Sequence, residues 1–144
     1  MSRKWLELVG LLSIALLGAA CSEIGVGDAC VPQQVPPGGF LPSETYLETG
    51  SIECATRVCL VRELDGDPGN LQEDDCPFGE ETCVRASEVG DSVYCSCRCG
   101  APAGSSLPTC GCPSGFVCEE VLETGGDGVR GSYCVREDDN PPSE

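Results

Sequence analysis

The side chains equipped for chemistry in this 144-residue chain are its thiols: it holds 13 Cys and no His. Without imidazole there is no Ser–His or Cys–His pair, no acid–base group poised near neutral pH and no His metal ligand. Thiols at this density either close as disulfides or hold a soft metal ion. Cys95, Cys97 and Cys99 alternate along a predicted strand, which turns all three side chains to one face. An extended backbone separates the Cα atoms of residues i and i+2 by close to the upper limit for a disulfide. Each of the three is therefore expected to reach another element, as are Cys110 and Cys112. Cys99 and Cys110 flank the loop from Gly100 to Pro108 and are one way of closing it. In a reducing cytosol such clusters favour zinc or copper, whereas an oxidising compartment favours disulfides.

The N-terminus sets the compartment. Arg3 and Lys4 form a basic n-region, Leu8 to Leu17 an uncharged apolar h-region, and Gly18-Ala19-Ala20 the small residues of a cleavage site. The apolar run is too short to span a bilayer comfortably. Residues 1–20 are thus read as a signal-peptide helix, cut between Ala20 and Cys21. Leu17-Gly18-Ala19-Ala20-Cys21 resembles the lipobox of bacterial lipoproteins. That resemblance implies a diacylglyceryl group on the Cys21 thiol and an acyl chain, typically palmitate, on the new amine. Leu stands four residues before the Cys, a spacing the family tolerates. The alternative is ordinary secretory cleavage, with Cys21 as one more half-cystine.

Parity separates these two readings. Thirteen is odd, and an odd Cys in an exported protein needs a fate of its own. Giving Cys21 to lipid leaves Cys30, Cys54, Cys59, Cys76, Cys83, Cys95, Cys97, Cys99, Cys110, Cys112, Cys118 and Cys134, which can close as six disulfides. Several acyl chains anchor stably, since each buried methylene adds about 0.8 kcal/mol. Ser22, rather than Asp, follows the lipidated Cys; by the sorting rule of that family this implies the outer membrane, on its periplasmic side or at the cell surface.

The net charge is −16, from 24 Asp and Glu against 8 Lys and Arg. So acidic a chain is not a nucleic-acid binder, because phosphate contacts need clustered Lys and Arg. It is also repelled by anionic lipid. High charge with few apolar residues would alone predict disorder. Six cross-links reverse that expectation, each worth about 2–4 kcal/mol, mainly through the unfolded chain. The expected fold is small, disulfide-rich and mostly irregular, with short antiparallel β-hairpins, and it should be lost on reduction. Residues 21–29 read as lipidated Cys and tether, 30–75 as a loop-rich leader containing Cys, 76–136 as two tandem Cys-rich hairpin units, and 137–144 as an acidic disordered tail.

Strands are expected at Arg57 to Arg62, Thr82 to Arg85, Ser92 to Cys99, Phe116 to Leu122 and Ser132 to Arg136. Turns are expected at Glu88 to Asp91 and Thr124 to Gly128, and no amphipathic helix after residue 21. The tandem units rest on a repeat. Cys76-Pro77-Phe78-Gly79 leads to Cys83 and then Tyr94-Cys95, as Cys112-Pro113-Ser114-Gly115 leads to Cys118 and Tyr133-Cys134. Cys110-Gly111-Cys112-Pro113-Ser114-Gly115-Phe116 resembles the C-x-C-x-x-G-aromatic segment of epidermal-growth-factor-like modules. Here Cys118 follows Phe116 after Val117 alone, where that family spaces its closing Cys further on, so the likeness is one of cystine-hairpin economy. The whole chain is similar to the cysteine-rich lipoproteins of myxobacteria. The lipobox, Gly27-Asp28-Ala29-Cys30, Arg57-Val58-Cys59-Leu60, Tyr94-Cys95-Ser96-Cys97-Arg98-Cys99 and Gly131-Ser132-Tyr133-Cys134-Val135 carry that likeness. It implies a compartment and an architecture and brings no activity with it.

Acid clusters stand at Asp65, Asp67, Glu73-Asp74-Asp75, Glu80-Glu81 and Glu119-Glu120. Asp65-Gly66-Asp67-Pro68-Gly69-Asn70 departs from the EF-hand loop, with Gly fifth, Asn sixth and Cys76 where the bidentate Glu belongs. A solvated loop is expected there, with calcium binding of the weak extracellular kind as the alternative. Glycosidase chemistry needs two carboxyls in a cleft lined by aromatic and polar groups, and aromatic residues are few. The expected protein is therefore not an enzyme and takes no cofactor and no metal. It is a disulfide-stabilised, membrane-anchored lipoprotein with a binding, adhesion or envelope-structural role. Its partners would be the membrane, through lipid, and a basic protein or weakly bound calcium, but no nucleic acid. The alternatives are an exported inhibitor or toxin-like module acting through the braced loop Gly100 to Pro108 and, third, a metal-thiolate protein.

Overall fold

A computed structural model describes residues 25–72, 76–77, 82–122 and 125–137. The signal-peptide helix, Ala20, Cys21, the acids at 73–75 and 80–81, and the tail beyond residue 137 lie outside the described residues. In chain order the elements are β1 (Thr45–Thr49), β2 (Val58–Arg62), β3 (Leu71–Gln72), β4 (Val84–Arg85), α1 (Ala86–Ser92), β5 (Val93–Ser96), β6 (Arg98–Gly100), β7 (Phe116–Leu122) and β8 (Gly131–Arg136).

The fold is organised by β2. Its run Val58-Cys59-Leu60-Val61 is buried throughout, and a strand apolar on both faces needs cover on both. β1 and β5 flank it in an antiparallel sheet of order β1-β2-β5. Alternation then sends Cys59 and Val61, with Val93 and Cys95, into one cluster beside Cys30, Phe40, Cys54, Leu64 and Val84. Leu60 and Tyr94 face the other way and meet Val135, with Leu47, Phe116 and Val121 packed around them. The cover on that side comes from the second antiparallel sheet, of order β6-β8-β7. Half-cystines fill much of the first cluster, where the disulfides Cys30–Cys59 and Cys54–Cys95 stand in for aliphatic packing. No helix among the described residues is long and apolar enough to cross a membrane.

The small, disulfide-rich fold with short antiparallel strands is as expected, but four local expectations need correction. Glu88 to Asp91 is not a turn; it lies within α1. There Glu88 Oε2 accepts the Arg85 backbone N–H at 3.1 Å and closes the first turn. Seven residues with one partly buried apolar side chain, Val89, leave no stripe at helical period to read. The strand expected from Ser92 to Cys99 divides at Cys97 between two sheets. The first expected hairpin does not close on itself: β4 pairs with β3, in parallel, and β5 pairs with β2. Val93 and Tyr94 are needed on the two faces beside β2, and that demand outweighs local closure. β7 and β8 do form a hairpin, with Cys118 opposite Cys134. Its turn, described from residue 125, closes with the Val129 N–H on the Gly126 carbonyl at 2.9 Å. Lastly, the leader holds a full strand, β1, whose Tyr46 ring lies 5.3 Å from that of Phe40.

Phe40 enters the core on a tight crossing. Phe40 and Gly66 exchange backbone hydrogen bonds of 2.7 and 2.9 Å. A Cβ on Gly39 would lie 2.3 Å from the Gly66 carbonyl carbon. Gly38 has nearly the same positive φ, 91° against 86°, but faces open space. Gly38→Ala is expected to cost about 1–2 kcal/mol for the left-handed backbone alone, and Gly39→Ala at least about 2 kcal/mol more for the overlap. Denaturant unfolding with the disulfides intact measures both, and equal losses would contradict this packing.

Candidate functional site

The cysteine run β5–β6 is the point from which the surface features are positioned. Cys95 bonds Cys54, Cys97 bonds Cys110 and Cys99 bonds Cys118. Cys30–Cys59, Cys76–Cys83 and Cys112–Cys134 complete the six pairs. Every cysteine of the two C-x-C runs thus reaches another part of the chain, as an extended backbone requires. The pair Cys99–Cys110 is not formed. The Cys110 N–H donates to the Arg98 carbonyl at 2.8 Å and sets Cys110 against Cys97, while Cys99 is bonded to Cys118 of β7. The loop from Gly100 to Pro108 is still closed at its root, by Cys97–Cys110.

Three of these disulfides stack. Cys134 Sγ lies 3.7 Å from Cys97 Sγ and 3.9 Å from Cys110 Sγ. The Sγ atoms of Cys99, of Cys118 and of Cys112, the bonded partner of Cys134, fall within 4.8 Å of one another. Cys30, Cys54 and Cys95 form a similar trio in the first core cluster. Such trios have the spacing of a thiolate metal centre. Metal ligation needs deprotonated thiolates, however, and each of these sulfurs is covalently bound to another.

Beside the stack lies a cleft of about 330 Å³, walled by Val58, Cys97, Pro108, Cys110 and Tyr133 and flanked by Arg57 and Arg98. Arg98, between two bonded cysteines, has its guanidinium 5.3 Å from the centre of the Tyr133 ring. It donates to the Gly128 carbonyl and, at 2.8 Å, to the Tyr133 hydroxyl. That hydroxyl donates in turn to the Val129 carbonyl at 2.8 Å. Arg57 sits in the left-handed backbone region, φ 63°. Its carbonyl accepts the N–H groups of Gly50 and Ser51 at 2.7 and 3.1 Å, which holds the corner between β1 and β2.

Elsewhere on the surface the arginines serve to join elements. The Arg136 guanidinium stands 5.0 Å from the Tyr94 ring centre and 5.5 Å from that of Phe116. It also donates to the carbonyls of Gly27 and Gly90. Arg62 pairs with Glu63 at 3.2 Å and Glu119 at 3.0 Å, tying β2 to β7. Glu63, Asp91 and Glu137 line a groove of about 420 Å³ beside Arg62 and Arg136. Exposed ion pairs of this kind contribute about 0–1 kcal/mol each, so their value is in registering the sheets.

Of the acid clusters, Glu119 is the partner of Arg62, and Glu120 is exposed beside it. Asp67 Oδ1 accepts the Gly69 N–H at 2.7 Å, an Asx turn, and the Asp67 N–H donates to the Thr82 carbonyl at 2.8 Å. The loop at 65–70 is therefore shaped by its own hydrogen bonds. The lipidation residue Cys21 and the acids at 73–75 and 80–81 lie outside the described residues. The cleft beside Arg57 and Arg98 was not foreseen in the sequence. Its one sequence signal was the scarcity of basic residues, which makes two of them at one place notable. Comparison with protein families, with curated proteins and with solved structures returns no match.

Burial raises the Tyr133 phenol above its ordinary value, and Arg98 only partly opposes this. Burial, with the charge of Glu48, raises Tyr46 as well. A phenol whose folded value is raised contributes stability below the unfolded value, near 10, and loses it as pH climbs through the folded one. Tyrosinate absorbance of the native protein should therefore show Tyr46 and Tyr133 ionising later than in the reduced, unfolded chain. Superimposable titrations would contradict the burial of Tyr46 and Tyr133.

Proposed function

We propose that this chain is a non-catalytic, disulfide-stapled module, held at the outer membrane by lipid on Cys21, with a binding, adhesion or envelope-structural role. One observation carries the reading. The 13 Cys divide into six closed pairs and Cys21, so the cysteine at the lipobox position is also the one that the cross-linking does not use. Disulfides of this density suit an oxidising compartment, in keeping with export.

The acidic balance gives the module its character as a partner. Exposed carboxylates such as Glu120 on β7 favour encounter with a basic protein surface, with electrostatics adding more to the rate of association than to affinity. Calcium held weakly at the loop from Asp65 to Asn70 is the alternative ligand. Cross-linked strands cost such a module little conformational entropy on binding.

The test is the intact mass of the protein extracted from membranes and alkylated without reduction. The expected species begins at Cys21, carries acyl chains and has no alkylated thiol. A lipid-free species retained by the membrane fraction, or one alkylated at several cysteines, would contradict the reading and return metal binding to consideration.

A further inference from the structure

The cleft beside the disulfide stack is at odds with the charge of the chain around it. The net charge is −16, and the two polar grooves lined by Arg62 both include Glu63 in their walls. The walls of this cleft hold no Asp and no Glu, yet two arginines line it. Among the described residues neither arginine has a carboxylate partner. Arg57 forms no salt bridge, and Arg98 donates only to the neutral oxygens of Gly128 and Tyr133. Arg98 Nε is moreover buried without any partner. Arg62, Arg85 and Arg130 are each paired with an acid, and Arg136, whose Nε like that of Arg130 is also buried without a partner, is held by two carbonyls and two aromatic rings.

Uncompensated guanidiniums beside low-dielectric walls focus a positive potential into the cleft. The rest of the lining is apolar or hydroxylic: Val58, the Cys97–Cys110 disulfide, Pro108, the Tyr133 ring and Thr109. A volume of about 330 Å³ is near the low end of the range for small-molecule sites, roughly 300–1,000 Å³. Arg57 holds its place on a left-handed backbone, φ 63°, that any residue except Gly adopts at a cost. With no partner for its guanidinium among the described residues, Arg57 is poised for one outside the chain.

We propose that this cleft binds a small amphipathic monocarboxylate, its carboxylate between Arg57 and Arg98 and its apolar body along Tyr133, Pro108 and the Cys97–Cys110 disulfide. Guanidinium meets carboxylate in a charge-assisted, two-point geometry, and the disulfide gives the site one wall that cannot relax away. The site goes beyond the proposed membrane anchoring and does not depend on it, since it is formed by residues of the two sheets and their loops alone.

The experiment is an amide-proton NMR titration of the oxidised soluble chain with octanoate below its micelle concentration, beside octanamide as the uncharged isostere. Octanoate is expected to shift the amides of 49–58 and 97–110 saturably and to bind at least about tenfold more tightly than octanamide, a difference one charged contact supplies. Arg57→Gln, at an exposed side chain without bonds, should keep the six disulfides and lower octanoate affinity about tenfold or more. Arg85→Gln, on the far helix cap, should leave it unchanged. Equal binding of octanoate and octanamide, shifts centred elsewhere, no saturable shift, or an Arg57→Gln protein that binds octanoate as well as the parent would each overturn the proposal. None of these results bears on lipid at Cys21, which the intact mass decides separately.

Discussion

Along an extended strand, residues two apart stand at nearly the widest Cα separation a disulfide can bridge. Cys95, Cys97 and Cys99 therefore take their partners from Cys54, Cys110 and Cys118, three distant points of the chain. The consequence is a run of five residues bonded to the leader, to the loop after β6 and to β7. The sheets on either side of Cys97 are held in register by covalent bonds, and by the Cys134 N–H on the Cys97 carbonyl at 3.0 Å. Arg98, between two of these anchors, has little freedom in where its side chain can go. Its seat over Tyr133 and the cleft beside it follow from that restraint.

The same restraint allows a core this small. β2 is buried on both faces, but the aliphatic residues around it are few, and sulfur occupies positions that a larger domain would fill with Leu or Ile. Cys54, Cys59, Cys95 and Cys134 are all essentially inaccessible to solvent. With a net charge of −16, self-repulsion favours the expanded chain, and cross-links oppose it by limiting how far the chain can expand. Arginine is the scarce resource of this surface. Arg62 and Arg136 are committed to joining sheets and segments, and among the described residues the two arginines of the cleft, Arg57 and Arg98, face no carboxylate.

What the sequence disclosed was whatever depends on residue type at fixed spacing. The C-x-C runs announced cross-element disulfides, β7 was legible to the residue as Phe116–Leu122, and the Tyr133-Cys134 strand was legible to within one residue. What stayed hidden depended on distant partners. The choice of Cys110 for Cys97 rather than Cys99 turns on one backbone hydrogen bond to Arg98. The pairing of β5 with β2 turns on which apolar faces need cover, which no local pattern reports. α1 is too short and too exposed to show a period. The cleft is built from the β1–β2 corner, the loop after β6 and the β8 hairpin, so its residues are neighbours in space only.

The stapled strand stands or falls on the pairing of the C-x-C runs, and disulfide mapping addresses it directly. The unreduced protein would be cleaved at Arg98, to part Cys97 from Cys99, and the linked peptides sequenced by electron-transfer fragmentation, to part Cys95 from Cys97. The predicted links are Cys54–Cys95, Cys97–Cys110, Cys99–Cys118 and Cys112–Cys134. A Cys99–Cys110 link, a bond between any two of Cys95, Cys97 and Cys99, or free thiols among them would contradict this architecture.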